Sequence, residues 1–281
     1  LAYLGTLAAT VLVWCINRKV MTGLIYNEIN KVEDTKVKTV SEYRFLERFG
    51  EVGEYMRLEL KMLLRNKRCK ASLRSVAMLV IIFSIILSFS STYDHMKSFV
   101  QVYSFLGFGM VILIQLMGFE GNYIDGLMTR KESIKSLLTA KYYIYSLAEI
   151  IPLILLIPAF VMGKASLLGA VALIFLTTGP VYCILFQLAV YNHKTVPLNE
   201  SITGKQSMNT GMQMLISFGL FIVPTTLYGT LPMLLEQTWA YIVILIIGLG
   251  FTLTSPMWIN NVYVRFMQRR YENMEGFRDS K

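Results

Sequence analysis

Long apolar runs alternate with short polar segments along this chain, and the alternation predicts a bundle of membrane-crossing helices. Seven runs stand out: Leu1–Asn17, Ser75–Ser91, Phe99–Phe119, Tyr142–Gly163, Ala165–Tyr191, Thr210–Tyr228 and Trp239–Trp258. Each has about 17 residues or more, enough to cross a hydrocarbon core of roughly 30 Å. Without water to satisfy the backbone, such runs must be helical. The predicted fold class is all-α, a polytopic membrane helix bundle of seven spans.

The polar segments have their own order. Arg18 to Gly53 is polar, and its middle, Lys31–Glu42, has few large apolar residues and reads as a linker. From Glu54 a helix begins, EYMRLELKMLLRNKRCKASL. Arg57, Lys61, Arg65 and Arg68 recur at helical spacing and fall within about 80° of one another. That is a basic amphipathic helix expected over residues 54–72, lying along the membrane before the second run. The chain thus divides into residues 1–17, the last span of a preceding half; residues 18–53, a cytoplasmic linker; and residues 54–281, a six-span module. Leu1 already lies inside an apolar run, as expected of the C-terminal piece of a longer protein. A signal peptide fits residues 1–17 less well, because no basic region precedes the run and no small-residue cleavage site follows it.

The segment 119–141, FEGNYIDGLMTRKESIKSLLTAK, is longer and more structured than a simple turn. It opens at Glu120, turns through Gly121 and Gly126, and reads as a separate helix over 131–140. A structured connection between two spans points to a docking surface. The external pieces are brief, except residues 223–238. There Pro224, Gly229 and Pro232 fit either a broken helix dipping into the outer leaflet or an ordinary interfacial loop.

Composition agrees with the membrane reading: 54% hydrophobic, 16% charged, mean hydropathy +0.51, against about 25% charged for soluble domains. The positive charges set the orientation. Of 27 Lys and Arg residues, all but Lys97 and Lys164 fall on one side of the alternation. That side is cytoplasmic, with the C-terminus on it and residue 1 outside. The net charge of +9 then reflects positive-inside sorting and anionic headgroups rather than nucleic acid. Cys15, Cys69 and Cys183 show no metal-ligand spacing.

Catalytic patterns are scarce. His95 and His193 fall on opposite sides, so an H-E-x-x-H zinc site is missing, and no metal is expected. Glu149, ahead of Pro152, is essentially the only acid within a run, and such a residue is a functional candidate by default. It fits either a translocation path or a structural pairing. Gln115 and Gln187 are polar groups in apolar helices and fit the same path or interhelical hydrogen bonding. No P-loop is present: Gly204-Lys205-Gln206 lacks the required flanking residues. Any ATP that drives this chain is bound by another, and no cofactor is expected here.

These features resemble the permease subunit of type-two (exporter-type) ABC transporters. That family has six spans with cytoplasmic ends, an amphipathic helix before the first, and a coupling segment between the second and third. Phe119-Glu120 matches the acidic entrance, Gly126-Leu127 the turn, Leu137-Leu138 the helix and Ala140-Lys141 the exit. Arg130-Lys131-Glu132 stands where the family usually has a proline. The resemblance implies an inner-membrane permease that hydrolyses nothing itself. It docks an ATP-binding subunit through Glu120, Gly121, Asp125, Gly126, Arg130, Lys131, Lys135 and Lys141, and works against a second permease half. Two other classes remain open, an ion-coupled carrier and an intramembrane lipid-modifying enzyme.

Overall fold

The computed structural model of the chain describes residues 14–15, 17–23, 43–89, 96–129, 131–196 and 211–280. It forms two units, Leu1–Glu42 and Tyr43–Lys281. In the first, the described residues are helical, and the Arg18 guanidinium lies 5.5 Å from the centre of the Trp14 ring. Most of the first apolar run lies outside the described residues. The second unit takes in Tyr43 to Gly53, which were expected to belong to the linker.

The second unit is all-helical among its described residues. A 3-10 turn, Arg44–Phe49, leads into α1, Gly50–Arg65. Met56, Glu59 and Leu63 form the buried stripe of α1, while Glu51 in its first turn and Arg65 in its last suit the helix dipole. Asn66 then takes an extended conformation (φ −75°, ψ 131°), and α2 begins at once, Lys67–Phe89. The expected single helix over 54–72 is therefore two. Asn66 ends the first, in keeping with its type's weak helix preference, and Arg68 belongs to the second.

α3, Lys97–Leu113, gives way to turns over 114–119, a 3-10 turn at Glu120–Tyr123 and the short α4, Ile124–Met128. α5 follows as one helix, Lys131–Ala148. The separate helix expected over 131–140 is instead the first part of α5. Ile134, Leu137, Leu138, Lys141, Tyr142 and Tyr145 are all buried and continue one stripe through the expected boundary, with no breaker between them. The run then proceeds in short pieces, α6 (Ile150–Leu155) and α7 (Ile157–Val161), parted at Glu149 and Leu156 where Pro152 and Pro158 remove backbone donors.

α8, Leu167–Leu176, passes through a π-helical turn at Thr177–Val181, which contains Pro180, into α9, Tyr182–Tyr191. α10, Gly211–Leu234, runs unbroken through Pro224 and Pro232. The broken helix considered for residues 223–238 is not formed. Beside Pro224, the hydroxyls of Thr225 and Thr226 donate to the carbonyls of Phe221 and Ile222, at 2.6 and 3.0 Å. α11, Gln237–Leu253, and α12, Ser255–Gln268, meet at 52°. α13, Arg270–Asp279, ends the unit.

Four helices are long and apolar enough to cross a membrane: Lys67–Phe89, Ile134–Leu155, Leu167–Tyr191 and Gln213–Leu234. The bent pair α11 and α12 makes a fifth if counted as one span. The described residues thus hold four to five such helices where seven runs were expected. α3 is apolar but has only 17 residues, because the Phe99–Phe119 run leaves the helix at Leu113.

The connections gather at two ends. At one, the 120–128 turn, the 192–196 segment and α13 contact one another, and Lys141 of α5 links the turn to α1. At the other, Lys97, Lys164 and Gln237 line one polar cavity of about 460 Å³. The charge pattern assigned these two groups of segments to opposite sides. Between the ends the helices pack closely. A Cβ on Gly248 of α11 would stand 2.5 Å from the Phe175 backbone of α8, so only glycine allows that approach.

Candidate functional site

Three charged side chains meet beneath the 120–128 turn. Lys141, one helical turn and more into the buried stripe of α5, is 1% exposed. Its Nζ lies 3.0 Å from Glu59 Oε1 and 2.8 Å from Glu120 Oε1. Glu59 comes from the buried face of α1 and also accepts a 2.7 Å hydrogen bond from the Tyr145 hydroxyl. Glu120 is held differently. Its carboxylate is held chiefly by the 2.8 Å contact of Oε1 with the Lys141 ammonium, without a well-aligned hydrogen bond among the described residues. The cluster fastens the turn to α1 and α5 at a single buried point. Ser136 adds a second tie between those helices, donating to Glu51 at 2.9 Å.

The turn is also clamped from its outer side. Phe277 of α13 packs on Gly121, where a Cβ would stand 2.7 Å from the ring and from the Thr195 hydroxyl. Arg278 donates to Asp125 Oδ1 through Nη2 and Nε at 2.9 and 3.1 Å. Asn122 donates to the Val196 carbonyl at 3.1 Å, and Thr195 to that of Phe277 at 2.9 Å. What stays open is the tip. Tyr123 is 49% exposed, Gly126 is exposed with nothing among the described residues within 4 Å of its Cβ position, and Leu127 is half-buried.

The residues expected at a docking contact therefore separate. Glu120, Gly121 and Lys141 lie inside the unit rather than on its face; Asp125, Gly126 and Lys135 lie at the surface. Arg130 falls outside the described residues, as does the Lys131 side chain. Of the basic stripe, Arg57 and Lys61 are half-buried and Arg65 is exposed, while Arg68 is buried on α2. Arg57 pairs with Glu47 at 3.4 Å.

The expected path residues lie in different surroundings. Gln115 lines a groove between α2, α3 and α10 to which Glu149 and Gln187 do not contribute. Glu149 is fully buried and accepts a 2.6 Å hydrogen bond from the Tyr182 hydroxyl. Gln187 accepts from Arg265 of α12 at 2.8 Å. Each of the two side chains thus has a hydrogen-bond partner on another helix. Sequence reasoning missed Glu59, Tyr123, Tyr145 and Arg278. Glu59 alone carried a visible signal, an acid between Met56 and Leu63 on the apolar stripe of an amphipathic helix.

The cluster has two acids for one lysine, and this sets its response to pH. Burial pushes the Glu120 carboxyl up from 4.5 to about 6, against the pull of Lys141, with the Glu59 charge adding to the rise. The fold thus favours protonated Glu120. That stability is fully present below the ordinary value of 4.5 and is lost as pH rises through about 6. The thermal midpoint of the detergent-solubilised chain is expected to fall across this interval more than that of Glu120→Gln. Parallel profiles for the two proteins would contradict the assignment.

A family model described as a family of unknown function, DUF5687, matches residues 1–280 of the chain. No curated protein and no solved structure matches it.

Proposed function

The chain belongs to that DUF5687 family, and we propose that it is the permease part of an ATP-driven exporter of the ABC type. Its partner binds and hydrolyses the ATP. The observation that carries the reading is the 120–128 turn, which has an exposed tip on a base fixed to α1 and α5 by the Glu59–Lys141–Glu120 cluster. A loop that receives a push from a docked subunit needs such an anchor, because a flexible loop would absorb the displacement. The order of elements supports it too: an amphipathic helix, two apolar helices, the helical turn, then further apolar helices.

In this reading the coupling element is the turn at 120–128, and α5 from Lys131 on is the lever it moves. The ATP-binding subunit rests on Tyr123, Gly126 and Leu127, with Asp125 and Lys135 at the rim. The six-span plan has α2, α3, α5 to α7, α8 with α9, α10, and α11 with α12 as crossings. Its sidedness follows the positive charges, with the turn and the C-terminus in the cytoplasm. A second permease half completes the path.

The test is a photo-crosslinking amino acid at Tyr123, in cells of the protein's own source. The expected product is a chain bearing a P-loop, captured in the membrane fraction, while the same probe at Met233, which is 85% exposed near the other end, captures none. The carrier reading keeps one support, buried Glu149 on Tyr182. Transport by liposomes that hold this protein, an ion gradient and no ATPase would replace the exporter reading with it.

A further inference from the structure

We propose that the groove between α2, α3 and α10 binds an anionic membrane phospholipid, with the headgroup at Arg68 and an acyl chain along the apolar walls. This does not depend on the exporter reading. The groove has a volume of about 550 Å³, within the range of sites that enclose a small-molecule ligand. Its chemistry is sorted along its length. Arg68, Ser72 and Gln115 line it near the start of α2 and the turns that follow α3. Val76, Tyr103 and Phe221 line the remainder. Arg68 to Val76 alone covers about 12 Å of helix. Met214, Ser217, Phe218 and Phe221 recur at helical spacing, so one face of α10 forms the third wall. Phe218 is 68% exposed and Met214 54%, so the groove opens sideways along α10, where a lipid chain would enter from the bilayer.

Arg68 selects the headgroup. It is 5% exposed and lies at the polar end of an otherwise apolar slot. A guanidinium keeps its charge there, and its planar donors match a phosphate. Exposed Lys67 and Lys70 on the same end of α2 strengthen the positive field. A zwitterionic lipid sets its own ammonium against that field and gains less. A second copy of this chain packed through α10 is a poorer occupant, because α10 carries no acid to set against the positive charges at this end of α2.

The experiment uses the full chain in neutral detergent, titrated with dioleoylphosphatidylglycerol or dioleoylphosphatidylcholine and read by native mass spectrometry. One phosphatidylglycerol should bind at least tenfold more tightly than phosphatidylcholine. Arg68→Gln should lower that affinity by roughly tenfold, the loss of one charged hydrogen-bonding partner. Arg74→Gln, at an exposed position, should leave it nearly unchanged, and Met110→Trp, which fills the groove, should abolish binding of both lipids. Equal affinity of the unaltered chain for the two lipids would overturn the proposal, as would an Arg74→Gln loss matching that of Arg68→Gln. If Arg68→Gln does not fold, Met110→Trp decides: retained phosphatidylglycerol there places the lipid elsewhere and overturns the site.

Discussion

Lys141→Met is expected to destabilise the fold by about 3–5 kcal/mol, the cost of removing one partner from a buried ion pair. Methionine matches the length of the lysine stem, so packing is largely kept and the loss is one of charge. Two carboxylates would then share a buried site with no cation between them. Glu59 would retain the Tyr145 hydroxyl at 2.7 Å. Glu120, 1% exposed, would retain no well-aligned partner among the described residues. Glu120→Gln should cost far less, because it leaves Lys141 and Glu59 as a neutral pair 3.0 Å apart. Replacing all three with apolar residues of similar volume should recover much of the loss, since two desolvated acids vanish together with their lysine. Unfolding free energies in mixed micelles measure the series. A Lys141→Met loss below about 1 kcal/mol, the range of exposed pairs, would mean that water reaches the cluster.

What the sequence revealed of this site follows from how local each signal is. Apolar periodicity is local, and it gave the all-helical character and most helix positions. Glu120 and Lys141 drew attention as the ends of one polar segment, although their burial did not show. The polar residues Lys131, Glu132 and Ser133 made the start of α5 look like part of a loop. The stripe from Ile134 to Tyr145 was readable there and outweighs them, since a helix is placed by its buried face. Asn66 gave no warning, because good helix formers flank it on both sides. Pro224 and Pro232 misled in the other direction: they signal breaks, but α10 carries them through with threonine hydroxyls serving the backbone nearby. The clamp on the turn joins residues distant in sequence, such as Arg278 and Asp125, and no local pattern announces such a pair.

Under the proposed exporter function, Gly126→Trp is expected to detach the ATP-binding partner while leaving this chain folded. Gly126 lies at the exposed tip of the turn, its φ is negative, and its Cβ position meets nothing within 4 Å. Among the described residues, a large side chain there meets no atom at its root. Tryptophan is also a better helix former than glycine, so α4 gains rather than loses. Any subunit seated on Tyr123 and Leu127 would meet the indole. Loss of a central interface contact costs 2 kcal/mol or more, so partner retention on purification should fall by about thirtyfold or more. The thermal midpoint of this chain alone should not move. The contrast with Lys141→Met separates anchor from docking surface, since that substitution lowers stability and coupling together. Undiminished ATPase retention by Gly126→Trp would move the docking surface off this turn. Undiminished transport with no ATPase bound would remove the ATP-driven reading altogether.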